Sequence, residues 1–268
     1  MPNQTPDISI VVPCYNEEAS LPLFLNELAQ VVRSMRAAKP LEFEVVLVDD
    51  GSSDSTLAVM KEQTNVCCND YCIKWVSFSR NFGKEAALYA GLEHATGNLV
   101  ATMDADMQDP PSLLPEMYRI LQDEDCDNVA TRRTTREGEP PIRSWFARMF
   151  YRIINKISKA DIVDGARDFR LMKRPMVDAI LSMREYNRFS KGIYGWVGFK
   201  TVWLPYVNVN RVAGETKWSF FSLLLYSIDG IVAFSTVPLS IASVMGALFC
   251  IVAFFALIFI VVRALLVW

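Results

Sequence analysis

The sequence predicts an α/β domain, a mostly parallel sheet with helices on both faces, followed by amphipathic juxtamembrane helices and a C-terminal transmembrane helix. Three observations predict it. Short β-branched apolar runs alternate with stretches of helical period through residues 8–131. Polar clusters close four of those runs. Charge is partitioned: all 30 acidic residues and 26 of the 27 basic ones lie within residues 1–230, and the 32 residues from Ile231 to Val262 carry none.

The elements follow in order. Ile8–Val12 is a first strand, ended by Pro13 and a turn, and Leu21 to Met35 has helical spacing. Phe43–Val48 is a second strand running into Asp49-Asp50-Gly51-Ser52-Ser53, after which Asp54 caps a helix reaching about Gln63. Ile73–Phe78, the helix Lys84–His94, Leu99–Met103, a helix near Ser112–Gln122 and a strand near Asn128–Thr131 complete the alternation. Near-continuously apolar strands separated by helices mean a parallel sheet buried on both faces. Ligands bind such sheets beyond the carboxyl ends of the strands. Those ends carry Asn16-Glu17, Asp49-Asp50, Arg80-Asn81 and Asp104/Asp106, which makes one crowded polar edge.

The second half is less regular. Thr131–Pro141 is a basic loop, Arg143–Lys159 has helical spacing, and Asp164-Gly165-Ala166-Arg167-Asp168 is a polar turn feeding a short strand, Phe169–Met172. Thr201–Val209 alternates imperfectly and predicts a β-hairpin arm. Lys217–Ile231 predicts a helix lying on a membrane surface. The 24 uncharged residues Leu239–Val262 would rise roughly 36 Å as a helix, enough to cross a hydrocarbon core of about 30 Å. The chain stops at Trp268, soon after this segment, which raises the expectation of a second span beyond it.

Composition excludes several classes. With 51% apolar residues and a mean hydropathy of +0.19, disorder is excluded, and a net charge of −3 with pI near 5.4 argues against a nucleic-acid binder. No basic region followed by an apolar one opens the chain, so no signal peptide is expected. Cys14, Cys67, Cys68, Cys72, Cys126 and Cys250 show no regular spacing and read as free cytosolic thiols. His94 is the only histidine, which leaves no room for a His-based metal site or a Ser-His-Asp triad, and it reads as a helix end.

Asp104-x-Asp106 is the sharpest chemical feature. An isolated Asp-x-Asp is most often a solvated turn, but this one ends a buried strand beside three other polar strand ends. Two carboxylates so placed can share a hard cation, Mg²⁺ or Mn²⁺, with a substrate diphosphate. Asp49-Asp50 reads either as a capped turn or as an acceptor for a base N–H or ribose hydroxyl. Neither G-x-x-x-x-G-K-[ST] nor G-x-G-x-x-G occurs, so the P-loop and dinucleotide readings lose their support.

Five ordered blocks together carry a family resemblance. They are Val11-Val12-Pro13-Cys14-Tyr15-Asn16-Glu17-Glu18, Val48-Asp49-Asp50-Gly51-Ser52-Ser53-Asp54, Arg80-Asn81-Phe82-Gly83-Lys84, Asp104-Ala105-Asp106-Met107-Gln108-Asp109-Pro110-Pro111 and Asp168-Phe169-Arg170. The chain resembles the inverting glycosyltransferases of family 2, and within them the polyprenyl-phosphate branch of dolichol-phosphate mannose synthases and bacterial undecaprenyl-phosphate glycosyltransferases. The resemblance implies a GT-A fold, a Rossmann-like sheet with helices on both faces. It implies nucleotide binding by Pro13, Tyr15, Asn16, Glu17, Asp49, Lys84 and Asp104, and metal binding by Asp104, Asp106 and Gln108. It makes Asp168 a candidate base, catalytic together with Asp106, although Arg167 stands where the family often has a small residue. Arg132 and Arg133 look like its acceptor loop, and Arg211 with Lys217 like its later phosphate-binding block.

These implications set the functional expectation. Residues 1–210 are expected to form a cytosolic transferase domain, 211–234 a juxtamembrane region and 235–268 a membrane helix, in the bacterial inner membrane. The expected reaction moves a sugar from a nucleotide sugar, UDP-glucose first, to undecaprenyl or another polyprenyl phosphate, with membrane lipids around it, no nucleic acid partner, and a homo-oligomeric assembly. The alternatives are a processive polysaccharide synthase, whose Gln-x-x-Arg-Trp motif this chain lacks, a GDP-mannose-using synthase, and a non-catalytic scaffold.

Overall fold

The computed structural model describes residues 5–65, 70–134, 165–207 and 230–266, with the single positions 149, 152, 163 and 228. Strand β1 (Ile8–Cys14) leads to α1 (Leu21–Ala38), β2 (Phe43–Asp49), α2 (Thr56–Asn65), β3 (Cys72–Ser77), α3 (Lys84–His94) and β4 (Leu99–Thr102). A single 3-10 turn at Pro111–Leu113 precedes α4 (Leu114–Asp123). Then come β5 (Asn128–Arg133), β6 (Ala166–Lys173), α5 (Arg174–Ser182), α6 (Ser190–Trp196), β7 (Thr201–Tyr206) and α7 (Val237–Leu266).

The seven strands form one sheet in the order β3-β2-β1-β4-β6-β5-β7. Alternating side chains divide its core. Ile8, Ile10 and Val12 pack on the α1 and α4 side with Phe24, Leu28 and Met117, while Val11, Val46 and Val48 pack on the α3 and α5 side with Leu92 and Ile180. The helices present matching stripes: in α1, Leu21, Phe24, Leu25, Leu28, Val32 and Met35 are buried at spacings of three and four. Close approach requires Gly91 on α3, where a Cβ would meet Val11 Cγ1 at 2.2 Å.

β1, β2, β3 and β4 are parallel in register, with Cys14, Asp49 and Ser77 level at one edge. The second half adds strand directions that the sequence left open. The strand expected near Phe169–Met172 starts at Ala166 and runs antiparallel to both β4 and β5, so the mostly parallel sheet is mixed. The expected hairpin arm begins as β7, parallel to β5 and at the edge of the sheet among the described residues, and its last positions lie outside them. Its Pro205 has no N–H to donate, a residue an edge strand accommodates. The antiparallel sense of β6 has a functional consequence. The parallel strands bring their carboxyl ends to the polar edge, and β6 alone brings its amino end there, carrying Arg167 and Asp168.

The helix α7 has 30 residues, a mean hydropathy of 3.0 in its most apolar stretch and no buried side chain, and is long and apolar enough to cross a membrane. The predicted helices at Arg143–Lys159 and Lys217–Ile231 lie outside the described residues, apart from positions 149, 152, 228, 230 and 231, which are helical. His94 is the last residue of α3, as expected, with Nδ1 2.8 Å from the Ala90 carbonyl oxygen. Cys14, Cys72, Cys126 and Cys250 are free thiols.

Candidate active site

The loops after β1, β2 and β3 are tied together by side chains. Asn16, at a left-handed φ of 54°, accepts at its Oδ1 from the Ser53 amide at 2.8 Å, and its own amide donates to Ser52 Oγ at 3.0 Å. The Glu17 amide donates to Thr56 Oγ1 at 2.7 Å. Asp49 is buried and accepts from the Ser52 amide at 3.0 Å and from the Ser77 hydroxyl at 2.9 Å. Asp50, equally buried, accepts from the Phe82 amide at 2.7 Å and from the Gly83 amide at 3.0 Å. Burial pushes the Asp50 carboxyl up, against the pull of those two amides. Asp49 and Asp50 therefore hold the second and third loops together, Asn16 and Glu17 tie the first to the second, and Pro13 and Tyr15 are half-buried.

Gly51 permits this arrangement. Its φ is +65°, and a Cβ there would stand 2.3 Å from the Arg80 carbonyl carbon. The third loop can therefore lie directly over the second.

Lys84 opens α3, and its ammonium bridges two carboxylates from distant strands. Nζ lies 2.7 Å from Asp104 Oδ1 and 2.6 Å from Asp168 Oδ2. Burial opposes the charge on Lys84, but Asp104 and Asp168 outweigh it and raise its pKa. Burial likewise opposes ionisation of Asp168. The Lys84 and Lys191 charges overcome it and hold the carboxyl well below the usual carboxylate range.

The turn after β4 carries Asp104, Asp106 and Gln108. Met107 adopts a left-handed φ of 58°, and the Gln108 amide donates to Asp106 Oδ1 at 3.1 Å. Two residues that sequence reasoning did not join stabilise the turn. Arg167 Nε donates to both oxygens of the fully buried Asp109, and its Nη2 donates to Gln108 Oε1 at 3.3 Å. The Tyr206 hydroxyl, at the end of β7, also donates to Asp109. The one available signal was Arg167, a large cation where a small residue was expected.

Among the described residues no group of three or more His, Cys, Asp or Glu side chains could hold a metal by itself. Asp104, Asp106 and the Gln108 amide oxygen are hard oxygen donors, the set that suits Mg²⁺ or Mn²⁺ and leaves positions for phosphate oxygens. The residues fit a cation completed by its substrate. Arg132 and Arg133 end β5 next to Gly165, where the Arg133 amide donates to the Gly165 carbonyl at 3.1 Å, three residues before Asp168. Arg211 and Lys217 lie outside the described residues.

The family model for glycosyl transferase family 2 matches residues 9–181, the span that holds Asp49, Asp50, Lys84, Asp104, Asp106 and Asp168. The chain belongs to that family. The glycosyltransferase is 40% identical over 247 residues to the prophage bactoprenol glucosyl transferase homolog of Escherichia coli (strain K12), covering 92% of this chain and 78% of that one. It is 39% identical over 239 residues to the bactoprenol glucosyl transferase of Shigella phage SfX, covering 89% and 76%. Its architecture is similar to the mannosyltransferase PcManGT from Pyrobaculum calidifontis, solved in complex with GDP-Man and Mn²⁺. There the TM-score is 0.55 at 22% identity, over 79% of this chain and 59% of that one. It is also similar to glucosyl-3-phosphoglycerate synthase from Mycobacterium tuberculosis, solved with Mn²⁺ and UDP-glucose, at a TM-score of 0.50 and 18% identity over 83% and 75%. At such identities the likeness shows the fold, and the glycosyltransferase has the GT-A fold its sequence blocks implied.

Proposed function

We propose that this glycosyltransferase moves one sugar from a nucleotide sugar, UDP-glucose first, to a polyprenyl phosphate with inversion, at the cytosolic face of a bacterial membrane. The observation that carries the reading is the Lys84 ammonium, which holds Asp168 and Asp104 within one bridging group at the polar edge of the sheet. Two relatives named for bactoprenol support the acceptor class, and α7 supports a membrane location.

The donor diphosphate meets Asp104, Asp106 and Gln108, and the nucleoside lies along the loops held by Asp49 and Asp50. A bound Mg²⁺ or Mn²⁺ would neutralise charge on the departing diphosphate. A phosphate monoester has a second pKa of about 6, so the acceptor is mostly dianionic at neutral pH. Its oxygen forms the new bond to the anomeric carbon as the bond to the diphosphate oxygen breaks on the opposite face. Such a nucleophile hardly needs deprotonation. This matches Asp168, whose depressed pKa makes it a weak base. Its role is to fix Lys84 by charge. Arg132 and Arg133, with Arg211 and Lys217, supply cations for the acceptor phosphate.

The test pairs the detergent-solubilised protein with undecaprenyl phosphate, a panel of UDP and GDP sugars, and Mg²⁺ or Mn²⁺. Mass spectrometry of the lipid extract should show a lipid one sugar heavier, absent with EDTA and with Asp106→Ala. Polymeric glycan, or no lipid product with any donor, would overturn the reading.

A further inference from the structure

Helix α6 stands between the polar edge and the apolar helix. The Ser190 amide and hydroxyl both donate to Glu85 Oε2, the amide at 3.0 Å, so α6 begins against the first turn of α3, beside Lys84. Tyr194 lays its ring 3.9 Å from the guanidinium carbon of Arg170, which lies two residues beyond Asp168 on β6. Side chains two apart on a strand share a face, and residues three apart on a helix do the same. Lys191 and Tyr194 thus turn one face of α6 toward the side of β6 that bears Asp168 and Arg170. The rest of α6 packs on the chain leading to the apolar helix. A Cβ on Gly192 would meet the Phe234 ring at 2.4 Å, and the Trp196 ring stands 6.3 Å from it. Phe234 precedes the first residue of α7 by three.

Charge distinguishes Lys191 from its neighbours. Lys84 is committed to Asp104 and Asp168, and Arg167 to Asp109. Arg170 is buried beneath Tyr194, its Nε closed off from solvent. Lys191 is half-buried, and among the described residues it has neither an ion-pair nor a hydrogen-bond partner. Asp168 is near enough to feel its charge but already bridges Lys84, and an ammonium at the edge outside any salt bridge suits an incoming phosphate as a point charge.

We propose that Lys191 binds the phosphate of the lipid acceptor beside Asp168, with α6 carrying it where the chain from the apolar helix meets the polar edge. This rests on the polyprenyl-phosphate reading above and adds to it a residue outside both basic blocks that the sequence assigned to the acceptor.

The test uses the full chain in detergent, with undecaprenyl phosphate and the nucleotide sugar varied separately. Lys191→Gln should raise the KM for undecaprenyl phosphate about tenfold, the worth of one hydrogen bond to a charged group, and leave the donor KM unchanged. Lys191→Arg should recover most of the loss. Where Lys191→Gln does not fold, Lys191→Ser reads the same two constants. An unchanged acceptor KM overturns the assignment, as does an equal rise in the donor KM, which would move Lys191 to the donor diphosphate. Failure of the wild-type protein to glycosylate undecaprenyl phosphate overturns the acceptor reading itself. Turnover by wild type with a silent Lys191→Gln overturns only the role of Lys191.

Discussion

Arg167 holds Asp109 through Nε at 3.0 and 3.1 Å, and this pair joins the start of β6 to the turn that carries Asp104 and Asp106. Asp109 is 1% exposed and Arg167 21%, so the pair lies largely out of water. Burial pushes the Asp109 carboxyl up, and Arg167 acts against it. The two residues are 58 apart in the chain, and each flanks a candidate site residue.

Removing one member should cost more than removing both. Arg167→Ala leaves a buried carboxylate without its counter-ion and should destabilise the protein by about 3 kcal/mol. Asp109→Asn in that background should return part of the loss, because the stranded charge is gone. Thermal melts of the two single variants and the double variant measure the coupling.

Lys84→Met should lower kcat by about a hundredfold, the scale for losing one preorganised charged group at a reacting centre. It removes the ammonium that bridges Asp168 and Asp104. Lys84→Arg keeps the charge but cannot reproduce a single-atom bridge, so it should recover only part of the rate. Initial rates with both substrates saturating decide this, and wild-type turnover in Lys84→Met would remove the bridge from the mechanism.

Gly51→Ala should weaken donor binding about tenfold, on the scale of strain for a non-glycine residue at positive φ. The added Cβ would press on the Arg80 backbone, which cannot rotate away as a side chain can. Donor titration at fixed acceptor reads the change, and acceptor KM should stay constant.

Glu44 supplies a pH-dependent contribution far from the site. Burial opposes its ionisation. The Lys74 ammonium at 2.6 Å, the Ser9 hydroxyl and the Thr96 amide and hydroxyl outweigh burial and hold it below the usual carboxylate range. A carboxylate with a lowered folded pKa stabilises fully above its unfolded value, and that contribution is lost as pH falls through the folded value. The gap in melting temperature between wild type and Glu44→Gln should therefore be constant from pH 7 to about 5.5 and close progressively below 4.5. A gap that widens on acidification would reverse the assignment.

Much of the first half was legible locally. The predicted bounds of α3 agree with the structure at both ends, and the strands near Ile8, Phe43, Ile73 and Leu99 lie where apolar runs meet turn residues. Asp104 and Lys84 came from separate blocks and meet in space, as does Asp168. Arg167 and Asp109 were harder to read. Asp109 looks like one more acid in a polar turn, and only its partner on β6 explains why it is fully buried. Lys191 stood in the sequence only as a cation among the aromatics of Asn187–Val197, and its place beside Asp168 comes from the packing of α6 on β6.

The sequence by itself determined the element types, the apolar helix, the family blocks and the oxygen-donor chemistry of the polar edge. These depend on local periodicity and on residue identity. Only the tertiary structure decided that β6 runs antiparallel, that β7 pairs in parallel with β5, and that Asp168 meets Lys84. Strand direction is set by backbone hydrogen bonds to neighbours far away in the chain, and backbone groups are alike in every residue. An apolar strand reads the same in either sense until its partners are known, and here that sense brings Asp168 to the site.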